Sequence, residues 1–173
     1  MTHDAADAAP QVLMVCLGNI CRSPTAEAAL KEAADEAGVP VNVTSAGTGS
    51  WHIGNPPDRR MQAAAAAVGL NLVGTAEQVE AEALRGADVV FAMDASNLRD
   101  LQELAGRHGI DTPMRLFREF DPQAHGRLDV PDPYYGGPTG FEQVVDICRR
   151  TAREIVQRLP ELVAASTRHG DDH

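Results

Sequence analysis

The sequence has few cysteines, a single lysine and no long apolar run, and each shortage excludes a class of protein. Three cysteines in 173 residues are too few for a secreted disulfide scaffold, so reduced thiols and a cytoplasmic location are expected. The longest helix-like apolar stretch, 63–68, is far too short to cross a membrane. Residues 1–10 contain neither a basic patch nor an apolar core, so no secretion signal is predicted.

Basic side chains are also scarce, which limits the partners. A formal net charge of -10 argues against nucleic acids and anionic membranes as partners. Lys31 is the only lysine, and the pattern Gly-x4-Gly-Lys is absent, which excludes a nucleotide-binding P-loop. The segment Gly47–Gly49 lacks the third glycine of a dinucleotide fingerprint. The histidines form no metal-ligand pattern, and we expect no metal and no cofactor.

Apolar runs alternate with helical patterns along the chain, which is typical of a parallel α/β sheet. Four strands are predicted, at Val12–Leu17, Val41–Ser45, Val89–Ala92 and Met114–Phe117. Helices are predicted at Ser23–Ala37, Asp58–Val68, Val79–Leu84, Ala95–His108 and Phe141–Leu159. We therefore expect a flavodoxin-like three-layer sandwich with a four-stranded parallel sheet and about five helices. Residues 11–163 are predicted to form one domain, with disordered tails at 1–10 and 164–173.

The segment Cys16–Pro24 (CLGNICRSP) follows the first predicted strand and has the features of a phosphate site. Five residues separate Cys16 from Arg22, and a tight loop closed onto a helix N-terminus directs backbone N–H groups at an anion. Cys16 is the candidate nucleophile, and Arg22 can bind two phosphoryl oxygens with its planar fork of donors. A strand-end cysteine followed by an arginine is a weak signal by itself, because such a cysteine is often only a small buried hydrophobe. The flanking residues decide in favour of the phosphate site.

Those flanking residues each suit a position in such a loop. Gly18 and Asn19 tolerate the left-handed backbone angles that converging N–H groups require. Ser23 fits as the N-cap of the following helix, and Pro24 fits as its first residue. The segment is therefore predicted to turn sharply and then to enter a helix.

A phosphoryl-transfer site also needs a group that protonates the leaving oxygen. Two Asp-Pro pairs are candidates, beginning at Asp121 and Asp132. Spacing alone does not choose between them, and either could be an ordinary turn. Asp132 stands between two prolines and precedes the only tyrosines, Tyr134 and Tyr135, whose rings suit the flank of an aryl substrate.

Together, Cys16–Pro24 and Asp132–Gly136 (DPYYG) resemble the low-molecular-weight protein tyrosine phosphatase family. The resemblance covers about residues 12–162 and includes shorter similar segments near 44–48, 51–52 and 93–100. It implies the flavodoxin-like fold and hydrolysis of phosphotyrosine proteins through a phosphocysteine on Cys16. It also implies phosphate binding by Arg22 and assigns the general acid and base to Asp132, which leaves Asp121 a structural role.

The resemblance also implies roles for residues around the nucleophile. The phosphate-binding loop of the family corresponds to Leu17, Gly18, Asn19, Ile20, Cys21 and Ser23, and the wall of its aryl slot to Trp51, Tyr134 and Tyr135. Ser23 is expected to form a hydrogen bond to the sulfur, and Asn19 to brace the loop. Cys21 is implied to form a reversible disulfide with Cys16, which would make the enzyme redox-regulated. Cys148 lies on the apolar stripe of the last predicted helix and is expected in the core.

Two positions bear on how far the resemblance extends. Many members carry a histidine that helps brace the loop asparagine, where this chain has Gly74. A relative that acts on phosphoarginine tends to have a polar threonine at the loop position held here by Ile20. The apolar Ile20 therefore favours an aryl phosphate as substrate. The paired Tyr134 and Tyr135 are also candidate targets of a tyrosine kinase.

Two other function classes compete with the phosphatase. An arsenate reductase on the same fold would need a further pair of exchangeable cysteines, and only Cys148 remains. A noncatalytic phosphotyrosine-binding module should lack the nucleophile or the acid, whereas this chain has both Cys16 and Asp132. The sequence therefore favours the phosphatase.

Overall fold

A four-stranded parallel sheet forms the centre of the molecule in the computed structural model, which describes residues 9–134 and 136–170. The strands are β1 (Gln11–Cys16), β2 (Asn42–Gly47), β3 (Val89–Ala92) and β4 (Met114–Leu116). The described chain also contains helices α1 (Arg22–Ala37), α2 (Arg59–Ala66), α3 (Ala81–Gly86), α4 (Ala95–Arg107) and α5 (Pro138–Gly170), with a short 3-10 helix at Phe117–Phe120. The predicted fold class is confirmed.

The central strand β1 is buried on both faces because its apolar side chains alternate between two cores. Val12 and Met14 belong to the larger core, and Leu13 and Val15 belong to the smaller one. Helices α1 and α5 cover the first face of the sheet, and α3 and α4 cover the second. This double burial explains why β1 reads as a continuous apolar run in the sequence.

The strand order β2-β1-β3-β4 places a topological switch point beside the end of β1. The chain leaves β1 for β2 on one side and later returns as β3 on the other side. In open parallel sheets, ligands bind outside the carboxyl ends of the strands at this point. Cys16 is the last residue of β1, so the fold itself puts the candidate nucleophile where a ligand is expected.

The ends of several elements differ from the prediction. The last helix, α5, continues through 164–170, where the sequence predicted a disordered tail. It also passes Pro160, a residue that commonly ends helices because it lacks a backbone N–H. Residues 1–8 and 171–173, which also belong to the predicted tails, lie outside the described residues, whereas Ala9 is buried and Pro10 accepts a backbone hydrogen bond from Asn42. No helix in the described part of the chain is both long and apolar enough to cross a bilayer.

Candidate active site

An open pocket of about 370 Å³ lies at the carboxyl end of β1, a volume that suits a small ligand. It is lined by Cys16, Leu17, Gly18, Ile20, Cys21, Arg22, Trp51, His52, Asp132 and Tyr134. The structure therefore brings the three predicted catalytic residues to one pocket, although Asp132 is more than a hundred residues from the loop. Tyr135, which was predicted to line the same slot, lies outside the described residues.

Two polar groups contact the Cys16 sulfur at the bottom of the pocket. The Asn19 backbone N–H donates to Sγ at 3.2 Å, and Ser23 Oγ lies 3.0 Å from Sγ. Because Asn19 Nδ2 already donates to Ser23 Oγ at 2.8 Å, the serine hydroxyl has its own proton to donate. Of its two acceptors, the sulfur at 3.0 Å is closer than the Ala46 carbonyl at 3.5 Å. Both groups can direct a hydrogen at the sulfur and so hold it in place at the pocket.

The predicted N-cap role of Ser23 is wrong. Helix α1 begins at Arg22 with Cys21 as its N-cap residue, so Ser23 already lies in the first turn. Its side chain faces Cys16 and Asn19 instead of capping the helix backbone. The hydroxyl is therefore free of a capping role, and it contacts two residues of the phosphate-binding loop and, at 3.5 Å, the Ala46 carbonyl of β2.

The two residues that were predicted to allow the sharp turn act in different ways. Asn19 adopts the left-handed conformation, with φ of 56°. Gly18 is not among the residues with positive φ, so its predicted conformational role is wrong. A Cβ atom at Gly18 would lie 3.0 Å from Cδ2 of His52. What glycine provides here is close approach of the His52 ring to the loop, a contact that sequence reasoning missed.

The side chain of Asn19 is braced by three partners even though Gly74 replaces the usual histidine. Nδ2 donates to Ser45 Oγ at 3.0 Å in addition to Ser23. Oδ1 accepts a hydrogen bond of 3.0 Å from the backbone N–H of Glu77. The loop is thus held by β2 and by the segment after Gly74. A backbone donor leaves no residue signature, so the sequence could not reveal this brace.

Arg22 is almost fully buried, and carboxylates on two sides hold its guanidinium. Nη1 donates to Asp94 Oδ2 at 2.7 Å and to the Val130 carbonyl at 3.1 Å. Nη2 lies 3.5 Å from Asp132 Oδ2. Although burial opposes its charge, the nearby Cys16, Asp94 and Asp132 raise the pKa of Arg22 above its ordinary value. Asp94, the residue before α4, was missed as a site residue, although it lies in one of the segments that resemble the family.

The two competing Asp-Pro pairs lie in different environments. Asp132 lines the pocket with its side chain 41% exposed, and its Oδ1 accepts a 3.1 Å hydrogen bond from the Tyr134 N–H. The side chain of Asp121 is fully buried and forms ion pairs with Arg118 and Arg150. Only Asp132 can reach a ligand in the pocket.

The other two cysteines are buried free thiols. Burial, with smaller contributions from Asp58 and Cys16, raises the pKa of the Cys21 thiol. Burial likewise raises the pKa of Cys148, which packs in the larger core as predicted. Both thiols therefore stay neutral at neutral pH, unlike an activated nucleophile.

Aromatic groups stand at the mouth of the pocket. Trp51 is 72% exposed, and a Cβ atom at Gly49 would overlap its ring, so the ring lies over that glycine. The ring centroids of His52 and Tyr134 are 5.8 Å apart. Trp51, His52 and Tyr134 line the pocket and give its entrance a partly apolar character.

A loop of this composition at the switch point of a parallel sheet, with a buried arginine and an acid on one pocket, is typical of a phosphatase. The family described as low molecular weight phosphotyrosine protein phosphatase matches residues 11–165. This chain belongs to that family and is a hydrolase of the phosphatase class.

Individual relatives agree with this assignment. The chain is 41% identical to the low molecular weight protein-tyrosine-phosphatase of Streptomyces coelicolor over 156 residues, which is 88% of this chain and 95% of the relative. A protein tyrosine phosphatase structure from Entamoeba histolytica matches with a TM-score of 0.82 and 32% identity over 88% of this chain and 98% of the other. A Drosophila arginine phosphatase matches with a TM-score of 0.80 and 30% identity over 86% and 96%.

Proposed function

We propose that this chain is a protein tyrosine phosphatase that hydrolyses phosphotyrosine through a phosphocysteine intermediate on Cys16. The observation that carries the proposal is the meeting of a hydrogen-bonded Cys16, a buried Arg22 and the exposed carboxylate of Asp132 on one pocket. Phosphoryl transfer to a thiolate needs three groups: a nucleophile, a ligand for the equatorial oxygens of the phosphoryl group, and a proton donor.

In the first displacement, the thiolate of Cys16 attacks phosphorus and the bond to the tyrosyl oxygen breaks. The guanidinium of Arg22 and the backbone N–H groups of 17–22 bind the equatorial oxygens and gain strength as charge develops there. Asp132, in its acid form, protonates the departing phenolate. Asp94 contributes indirectly, because it fixes the direction of the Arg22 guanidinium.

In the second displacement, water attacks the phosphocysteine and releases phosphate. Asp132 now accepts the proton of that water, so one carboxyl group serves both steps. The Ser23 hydroxyl and the Asn19 N–H stabilise the leaving thiolate. Each residue returns to its starting protonation state, which closes the cycle.

The pocket favours an aryl phosphate over other phosphate carriers. Ile20 gives the loop an apolar side chain, and Trp51 and Tyr134 stand at the entrance. An aromatic pair contributes about 0.5–1.5 kcal/mol beyond simple burial. Because Cys16 lies at the bottom of the pocket, the short arm of phosphoserine would leave its phosphorus too far from the sulfur. Comparison of kcat/KM for phosphotyrosine, phosphoarginine and phosphoserine peptides tests the assignment, which fails if either of the latter matches phosphotyrosine.

The covalent step has a direct test. Rapid acid quench of the wild-type enzyme with an aryl phosphate should yield one phosphoryl group on the peptide that contains Cys16, detected by mass spectrometry. Cys16→Ser should bind inorganic phosphate but turn over no substrate, whereas Cys148→Ser, the matched control in the core, should retain turnover. Label on any other residue, or turnover by Cys16→Ser, would disprove the mechanism.

A further inference from the structure

A second arginine connects the phosphate-binding loop with the segment that carries Asp132. Arg60 lies in the first turn of α2, and its side chain is 52% exposed. Its guanidinium contacts Asp58 twice, from Nε to Oδ1 at 3.2 Å and from Nη2 to Oδ2 at 3.0 Å. The same Nη2 donates to the Tyr134 carbonyl at 3.2 Å. Arg60 thus joins α2 to the segment that follows Asp132.

Two aromatic rings also hold this guanidinium. Arg60 Cζ lies 4.7 Å from the ring centroid of Phe141 and 5.5 Å from that of Tyr134, within the range of a cation–π contact. Phe141 is buried in the first turns of α5, so its ring is a fixed support. A planar guanidinium can contact a ring with its face and form hydrogen bonds with its edge at the same time, which a lysine ammonium cannot.

Both ends of this connection reach the pocket. The Asp58 backbone N–H donates to the Ile20 carbonyl in the phosphate-binding loop at 2.9 Å. At the other end, the Tyr134 N–H donates to Asp132 Oδ1. A continuous series of contacts therefore runs from Ile20 through Asp58, Arg60 and Tyr134 to Asp132.

We propose that Arg60 is a positioning residue that holds Asp132 at a fixed distance from the phosphate-binding loop. Asp132 belongs to the stretch 121–137, whose described residues form no helix or strand, so its position depends on side-chain contacts such as these. Misplacement of a catalytic group by about 1 Å can reduce the rate on the order of 10²-fold. The inference rests on the proposed role of Asp132 as the general acid.

The test uses kcat/KM for a series of aryl phosphates with rising leaving-group pKa, because this ratio reports the first displacement. For Arg60→Gln we expect a loss of about tenfold or more on the poorest leaving groups, within the roughly 10²–10⁴-fold that general acid catalysis supplies. On the best leaving groups, which need little protonation, the loss should be small. Inhibition by inorganic phosphate should not change. Arg59→Gln removes the same charge from the adjacent exposed position and should change neither quantity.

Combination with Asp132→Asn separates positioning of the acid from other roles. If Arg60 acts through Asp132, Arg60→Gln in the Asp132→Asn background should cause little further loss. Arg60→Lys keeps the charge without the planar fork, so its loss of kcat/KM on poor leaving groups should be intermediate. This variant replaces Arg60→Gln in the test if Arg60→Gln does not fold. Equal losses on all leaving groups, or full additivity with Asp132→Asn, would overturn the positioning role alone. An Asp132→Asn enzyme with a wild-type leaving-group profile would overturn the acid assignment and the positioning role with it.

Discussion

The two Asp-Pro segments offer a direct test of the structure. Asp121→Asn should lower the thermal stability and leave the leaving-group dependence of kcat/KM unchanged, whereas Asp132→Asn should do the reverse. The fully buried Asp121 side chain accepts four hydrogen bonds, which come from Arg118 Nε at 3.0 Å, Arg150 Nε at 2.7 Å, Arg150 Nη2 at 3.0 Å and the Gln123 N–H at 2.8 Å. An asparagine amide presents donors where one carboxylate oxygen accepted. Asp121→Asn therefore leaves part of the donors of Arg118 and Arg150 without a partner.

The expected loss of stability follows from that geometry. Removal of one partner of a buried ion pair costs about 3–5 kcal/mol, and the amide oxygen that remains places this case at about 3 kcal/mol. For a chain of this length, 1 kcal/mol corresponds to a Tm change of about 2–4 °C. We therefore expect Asp121→Asn to melt about 6–12 °C below the wild type at pH 7. The dependence of its kcat/KM on the leaving-group pKa should match that of the wild type.

Asp132→Asn is the matched control, because the Asp132 side chain is partly exposed and its contacts are a local 3.1 Å hydrogen bond and a looser 3.5 Å ion pair with Arg22. Arg22 keeps its closer partner Asp94 at 2.7 Å in this variant. Its Tm should stay within about 2 °C of the wild type, as for other surface substitutions. Its kcat/KM should fall most on substrates with poor leaving groups.

The pH dependence of the Tm gap provides a second measurement. Although burial opposes ionisation, Arg150, the Gln123 N–H and Arg118 hold the pKa of Asp121 below its ordinary value. The charged form therefore stabilises the fold fully above the unfolded-state pKa of about 3.9 and loses this contribution as the pH falls through the lower folded-state pKa. The Tm gap should narrow in that acid range. A gap under about 2 °C at pH 7, or one that does not narrow with acid, would refute the reasoning.

Three further predictions concern the phosphate-binding loop. Ser23→Ala removes the hydroxyl beside Sγ, so iodoacetate should alkylate Cys16 more slowly at neutral pH, and an unchanged rate would exclude this hydrogen bond as a source of thiolate. Mild peroxide should inactivate the enzyme through a Cys16–Cys21 disulfide that dithiothreitol reverses, whereas Cys21→Ser should progress to irreversible sulfinic acid. Full recovery of activity by the peroxide-treated Cys21→Ser variant would disprove the protective role of Cys21. Ile20→Thr should raise kcat/KM for phosphoarginine relative to phosphotyrosine, and an unchanged ratio would show that Ile20 does not select the substrate.

Local sequence signals determined most of the framework. The alternation of apolar runs and helical patterns predicted all four strands and five helices of the described chain, with errors mainly at their ends. The segment Cys16–Pro24, through its flanking residues as well as the spacing of Cys16 and Arg22, predicted a sharp turn from a strand into a helix, and β1 ends at Cys16 where α1 begins at Arg22. The buried position of Cys148 followed from helical periodicity alone. Such signals act over a few residues, so the sequence displays them directly.

Only the tertiary structure decided which distant residues complete the site. Asp94 lies 72 residues beyond Arg22, and it reaches Arg22 because the carboxyl ends of the parallel strands β1 and β3 meet at one edge of the sheet. The backbone of Glu77 lies 58 residues beyond Asn19, and it reaches the loop because its segment forms a hydrogen bond with Gly47 at the end of β2. The two Asp-Pro segments look alike in the sequence. The structure distinguishes them, because Asp121 is buried beneath two arginines and Asp132 is exposed on the pocket. The contacts of Arg60 likewise depend on how α2 packs beside α5. Side-chain environment is a property of packing, and no pattern within a short stretch of chain encodes it.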